Sequence, residues 1–257
     1  MSSTASTPSF GSTPANRWRL TDGAVDTTRP PHEPRPLRLA AEPRDVIIDL
    51  ARSAFISIDM QNDFCAEGYW SDVTGTPVDE ARKPIEPMRA LVPALRAAGV
   101  PIVWVNWGNR PDRLNLSPSL LWSFDPAGAG SGIGDALPGG AGAVLTKDSP
   151  SAALIDELET APGDIFVDKF RLSGFWDTPL DSILRNLRVD TLLFAGVNTD
   201  QCVMGTLMDA HFLGYDTVLL SDCTATSSPR YCWDASLYNA KLSGFVVDSG
   251  AILEGLG

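Results

Sequence analysis

Six short apolar runs, each long enough for one strand, recur along this chain with helical patterns between most of them. The runs fall at residues 54–58, 102–105, 165–167, 192–197, 218–220 and 245–247. The helical patterns fall at 85–98, 152–159, 178–187, 201–213 and 231–242. Apolar runs without polar alternation are what a parallel sheet covered on both faces requires. Strands alternating with helices imply right-handed crossovers. The expected fold is therefore α/β: a doubly wound, mostly parallel six-stranded sheet with helices on both faces. Gly99, Gly214 and Gly244 each stand between a helical pattern and a strand run, where a C-terminal glycine cap is expected.

Two regions break this rhythm. Residues 1–40 are rich in Ser, Thr, Pro and Arg, and the stretch Arg29-Pro30-Pro31-His32-Glu33-Pro34-Arg35-Pro36 excludes a helix or a central strand. This region reads as an N-terminal tail, flexible or laid along a surface, ahead of one domain at 41–257. The second break, residues 108–150, is too long for a simple connection and reads as a lid or a disordered loop. Its glycines, Gly128 to Gly134, do not follow a strand directly or open a helix, so a phosphate cradle is disfavoured.

The formal net charge of −12 argues against nucleic acid or an anionic membrane as partner and fits a small-molecule substrate. Acidity also simply keeps a surface soluble. Cys65, Cys202, Cys223 and Cys232 form no C-x-x-C pair and no disulfide framework. No apolar run is long enough for a bilayer span, and no signal-peptide pattern opens the chain. A reducing cytoplasm is the expected compartment.

Ligands of open α/β sheets bind beyond the carboxyl ends of the strands. Asp59 ends the first run, Asp168-Lys169 follows the third, and the fourth leads into Gly196-Val197-Asn198-Thr199-Asp200-Gln201-Cys202-Val203. Singly, each has an ordinary reading: a turn aspartate, a solvated lysine, a small buried cysteine. Together they put an acid, an amine and a thiol on one sheet edge. At the start of a helix Cys202 is expected to be favoured as thiolate. A cysteine nucleophile needs a base or a cation beside it. The only histidines are His32, in the Pro-rich stretch, and His211, nine residues beyond Cys202. Asp59 as base and Lys169 as cation fill that role. No His or Cys set has zinc-ligand spacing, so neither metal nor other cofactor is expected.

Asp59-Met60-Gln61-Asn62-Asp63-Phe64, the lysine of Asp168-Lys169, and Gly-Val-x-Thr-x-x-Cys-Val over 196–203 resemble, in that order, the signatures of the isochorismatase-like cysteine hydrolases. The resemblance runs over roughly residues 45–250. It implies a Rossmann-like hydrolase fold and a catalytic triad of Asp59, Lys169 and Cys202. It also implies a cis peptide between Val197 and Asn198, and an oxyanion hole made by the backbone N–H groups of Asn198 and Cys202. Residues 171–181 look like the ureidoacrylate branch, and Gly132-Ile133-Gly134-Asp135 resembles the biuret branch. Trp107-Gly108-Asn109-Arg110 stands where the metal-binding nicotinamidases carry ligands, which disfavours that branch. Asn198 departs from the small residue common in ureidoacrylate enzymes. The implied activity is hydrolysis of the C–N bond of a small linear amide or ureido compound, through a thioester-type intermediate, by a homo-oligomer (dimer or tetramer). A larger or cyclic amide, such as a streptothricin-type lactam, is an alternative substrate. A non-catalytic small-molecule binding protein is the alternative of another class. Phe64, Trp107, Trp122 and Phe175 are candidate pocket walls, each with core packing as its ordinary reading.

Overall fold

The computed structural model of the protein describes residues 9–257. Its centre is a six-stranded sheet: β1 (Ser53–Ile58), β2 (Ile102–Trp107), β3 (Ile165–Lys169), β4 (Thr191–Val197), β5 (Asp216–Ala225) and β6 (Phe245–Val247). The order is β6-β5-β4-β1-β2-β3, and every pairing is parallel. The chain reverses its winding between β1 and β4. That leaves a crevice at their carboxyl ends, the topological switch point of a doubly wound sheet. Every residue of β1 and β4 is buried, as a strand covered on both faces demands.

Helices α1 (Ile85–Ala97), α2 (Pro118–Phe124), α3 (Leu180–Leu187), α4 (Met204–Phe212), α5 (Arg230–Ser243) and α6 (Ser249–Leu256) complete the domain. Helix α1 buries Ile85, Met88, Leu91, Val92 and Leu95, one stripe at helical spacing, and packs beside α6. Helix α4 packs against α5 and β5. Asp248 caps α6 by accepting the Gly250 N–H at 2.9 Å.

Several expectations need correction. Residues 152–159 are not an α-helix: a 3-10 turn at Pro150–Ala152 is followed by irregular chain. The local backbone is committed elsewhere. Ala153 O accepts from Asn62 N–H at 2.9 Å, and Ile155 N–H donates to Met60 O at 3.0 Å, so this stretch pairs with the chain leaving β1. Gly99 (φ +76°) and Gly214 (φ +90°) occupy the left-handed region as cap glycines do, but Gly244 does not, with φ 179°. It is needed for space, because a Cβ there would meet Thr217 O at 2.0 Å. Strand β5 is longer than its apolar run, because a register shift between Leu219 and Thr224 admits Ser221 and Asp222.

Strands also occur before residue 53. Pro36–Leu39 pairs antiparallel with Val46–Asp49, turning Leu37 and Leu39 inward. Ser9–Thr13, Asn16–Thr21 and Ala24–Asp26 form a separate three-stranded antiparallel meander. The long segment between β2 and β3 is ordered around buried Asn109, Ile133, Leu137, Val144 and Leu145. Among the described residues no helix is long and apolar enough to cross a membrane.

Candidate active site

Asp59, Lys169 and Cys202 meet at the carboxyl ends of β1, β3 and β4. Register explains the convergence. Ile58 pairs with both Val105 and Gly196, and Trp107 pairs with Lys169, so the four strands end within two residues of one another. Gly196 permits the close approach at the switch point. Its φ is +107°, and a Cβ on it would lie 2.0 Å from Ile58 O. Immediately after β1, Asp59 takes a left-handed φ of 53°, uncommon for a residue other than glycine. The Asp59 carbonyl accepts the Gln61 N–H at 2.8 Å, closing a tight turn.

Lys169 Nζ lies 3.0 Å from Asp59 Oδ2, 3.4 Å from Cys202 Sγ and 3.0 Å from the Arg171 carbonyl oxygen. Two of its N–H donors go to Arg171 O and Cys202 Sγ, and the Asp59 carboxylate stands beside it as an ion pair. The same ammonium stands 3.8 Å from the centroid of the Trp107 ring. Asp59 and Lys169 are fully buried and Cys202 is 4% exposed. An unpaired charge at this depth would be prohibitive, so the carboxylate and the ammonium require each other. Besides the Lys169 ammonium, the Cys202 thiol and the Trp107 N–H face the Asp59 carboxylate and favour its charged form.

Burial raises Asp59 above the usual carboxylate range, against the pull of Lys169. The same cause pushes the Cys202 thiol up to about 12; Lys169 opposes this and the Asp59 charge adds to it. Burial thus favours the thiol, against the thiolate expected from a helix start. Cys202 lies inside a π-helical turn, Thr199–Val203, and desolvation outweighs the dipole there.

The Thr199–Val203 turn is tied down on both sides. Thr199 and Thr224 share a hydroxyl contact of 2.8 Å, and Thr224 donates to Gly196 O at 2.7 Å. Thr206 donates to Cys202 O at 2.7 Å and accepts the Gly174 N–H at 3.0 Å, joining α4 to the chain after Lys169. The Val197–Asn198 peptide bond is cis. Asn198 immediately precedes the turn, and its Oδ1 accepts the Ser227 N–H at 3.1 Å, so its side chain is directed to the loop after β5.

The aromatic candidates divide. Trp107 is in the site. Phe64 is buried one turn after Asp59, with its ring edge-on to Trp70 at 5.7 Å. Trp122 is 67% exposed on the outer face of α2. Phe124, two residues on, makes the contacts instead, stacking on Trp70 at 5.4 Å and meeting Trp107 edge-on at 5.3 Å. Trp70 and Phe124 were missed. The signal was present: Leu120, Leu121 and Phe124 share one face at helical spacing, and Trp122 falls off it. Phe175 follows Gly174, whose N–H is bound by Thr206, and its ring lies 5.9 Å from that of Tyr215, which immediately precedes β5.

The remaining polar residues of the Asp59–Phe64 motif have structural duties. Gln61 Nε2 donates to Trp107 O at 2.8 Å, while its Oε1 accepts the Trp107 N–H at 2.8 Å. Asn62 donates to Pro150 O at 3.0 Å, and Asp63 Oδ2 accepts the Leu145 N–H at 2.7 Å. The motif thus fastens both ends of the long segment to the site. His32 pairs with Asp49 and His211 lies against Phe212, so neither histidine serves the thiol. Among the described residues no three His, Cys, Asp or Glu side chains gather as a metal-binding group.

Comparison with known proteins agrees with this architecture. The Isochorismatase domain family matches residues 53–251. A cysteine hydrolase from Pseudomonas syringae pv. phaseolicola is 24% identical with a TM-score of 0.67, over 81% of this chain and 94% of its own; at that identity it speaks for the fold. An isochorismatase family protein from Desulfovibrio vulgaris is 26% identical, TM-score 0.63, over 79% and 97%. N-carbamoylsarcosine amidase from Thermoplasma acidophilum is 27% identical, TM-score 0.57, over 77% and 96%. With the family matched across all six central strands and the segments that carry Asp59, Lys169 and Cys202, this chain belongs to the isochorismatase family of hydrolases.

Proposed function

We propose that this protein is a cysteine-dependent amidohydrolase that cleaves the C–N bond of a small linear amide or ureido compound. The observation that carries the reading is the position of Lys169 Nζ, within 3.4 Å of both a carboxylate and a thiol, with Asp59 and Lys169 fully buried and Cys202 only 4% exposed. So narrow an approach to sulfur favours a small substrate over a bulky cyclic amide. Likeness to an N-carbamoylsarcosine amidase and to the ureidoacrylate and biuret signatures supports a carbamoyl group as the part attacked.

In the proposed cycle Asp59 takes the proton of Cys202 as sulfur bonds to the substrate carbonyl carbon. The C=O electron pair moves to oxygen, which accepts hydrogen bonds from the backbone N–H groups of Asn198 and Cys202. The C–N bond then breaks, and Asp59 returns the proton to the departing nitrogen, releasing ammonia or an amine and leaving an S-acyl or S-carbamoyl enzyme. Water attacks that carbon and gives a proton to Asp59; the C–S bond breaks, and the proton returns to sulfur. Burial helps the first step, because a desolvated carboxylate is a stronger base than an exposed one. Lys169 remains cationic throughout and balances whichever anion is present.

Ammonia release across a panel of linear ureas, carbamoyl amino acids and lactams tests the reading. Turnover of a linear compound that disappears in Cys202→Ala is the expected result. Turnover of lactams alone, or full turnover in Cys202→Ala, overturns it.

A further inference from the structure

The three-stranded meander at Ser9–Thr13, Asn16–Thr21 and Ala24–Asp26 stands apart from the domain core. Its register sorts its side chains. Phe10 pairs with Trp18, and Leu20 with Val25. Cross-strand partners share a face, and so do residues two apart in a strand. Phe10, Trp18, Leu20 and Val25 therefore form one apolar face. Arg17, Arg19 and Asp26 lie on the other, where Arg19 and Asp26 pair at 2.8 Å. Among the described residues nothing covers the apolar face: its four side chains are 59%, 42%, 37% and 52% exposed.

An amphipathic sheet must bury its apolar face against another layer, and so small a sheet has little stability without one. The meander cannot swing back onto its own domain. Asn16 Nδ2 donates to Asn186 O and Oδ1 at 3.1 and 3.0 Å, and Asn186 Nδ2 donates to Ser12 Oγ at 2.6 Å. These contacts fix its turn end to the last turn of α3, at the amino edge of the sheet, away from Cys202.

We propose that the apolar face of the meander packs against the same face of a second copy of this chain, giving a two-layer sandwich about a two-fold axis. Such a contact is self-complementary and needs no second surface patch. Charge favours it. Each chain carries −12, so two copies repel over most of their surfaces. Residues 9–26 hold Arg17 and Arg19 against Asp22 and Asp26, and are neutral as a unit. None of these four charged residues is among the apolar side chains of the proposed contact. Among the described residues Arg29, 5.7 Å from the Trp18 ring centroid, borders it with charge. Two acidic bodies can meet through this element without bringing like charges into the interface core.

Sedimentation equilibrium on the full chain tests the pairing. The wild type is expected at twice the chain mass. Trp18→Asp and Val25→Asp are each expected to weaken self-association by at least ~30-fold, the scale of a central aromatic anchor. Arg17→Ser, on the opposite face, and Tyr238→Asp, on the exposed side of α5, should leave the mass unchanged. Hydrolytic activity should survive in all four variants, since none touches the site. A monomeric wild type overturns the proposal. So does an assembly that persists in Trp18→Asp and Val25→Asp, or one that Tyr238→Asp or Arg17→Ser dissociates equally well.

Discussion

The ammonium of Lys169 rests 3.8 Å from the centroid of the Trp107 ring, on the side chain that ends the strand paired with its own. The indole is a platform that places the cation between Asp59 and Cys202. A desolvated cation–π contact is worth about 2 kcal/mol. Trp107→Leu is therefore expected to lower kcat by roughly tenfold or more, with Trp107→Phe recovering part of the loss. Steady-state kinetics on the best substrate check this. An unchanged kcat in Trp107→Leu would remove the platform role.

The Lys169–Asp59 pair also bears on stability. Removing one partner of a fully buried ion pair leaves the other charge stranded, at a cost of about 3–5 kcal/mol. Lys169→Met should lower unfolding free energy by that order at pH 7. The double variant Asp59→Asn/Lys169→Met should be more stable than Lys169→Met alone, because no charge is then left unpaired. Urea unfolding of the four forms gives the comparison. Strictly additive losses would contradict the coupling.

Burial holds Cys202 as a thiol, with the Asp59 charge contributing to its high pKa. Alkylation of Cys202 by iodoacetamide should thus rise about tenfold per pH unit from pH 7 to 9, following the thiolate fraction. Asp59→Asn removes a repelling charge, so it should speed alkylation at fixed pH while abolishing turnover. Mass-resolved labelling at Cys202 measures the first effect and ammonia release the second. A rate flat across that range would mean that the thiolate is already formed at rest.

The six parallel strands and the gathering of Asp59, Lys169 and Cys202 at one sheet edge were legible in the sequence because parallel strands impose the simplest pattern: continuous apolar runs with polar residues at their carboxyl ends. Legibility failed where backbone hydrogen bonds, not side-chain periodicity, decide the structure. Residues 152–159 have helical spacing, with Ile155 and Leu158 buried, yet their backbone pairs with the chain leaving β1. Helix α6 went unread although Asp248 caps it, because its pattern follows β6 with hardly any connection. Buried polar duties were equally hidden. Gln61, Asn62 and Asp63 are conspicuous as a motif, but nothing in their spacing tells that they fasten a segment some eighty residues away.

That segment brings Phe124 to the site, while Trp122 faces solvent. Phe124→Ala removes one stacked and one edge-on aromatic contact and is expected to cost about 2–4 kcal/mol. It should also loosen Trp107 and lower kcat/KM. Trp122→Ala should stay within about 0.5 kcal/mol of wild type, as exposed substitutions do. Thermal unfolding and kinetics on the two variants decide it. Equal effects, or a larger one at Trp122, would reverse the assignment of the two rings.

Asp63 gives this anchorage a pH signature. Burial raises its carboxyl to about 6, although the Leu145 N–H holds it down. The ordinary value for an unfolded aspartate is ~3.9. Below pH ~4 both states keep the proton and Asp63 makes no difference to stability. Between pH ~4 and ~6 the unfolded chain releases its proton while the folded protein retains it, so stability falls as pH rises. Above pH ~6 the loss is complete, at about 3 kcal/mol for a shift of roughly two units. Asp63→Asn keeps an acceptor for the Leu145 N–H and has no proton to lose. Its stability relative to wild type should therefore increase by about 3 kcal/mol from pH 3.5 to 7. Comparing the two proteins cancels the opposite trends of the other carboxylates. Parallel urea midpoints across that range would show that Asp63 titrates alike in the folded and unfolded protein, and that the segment is held by a carboxyl of ordinary strength.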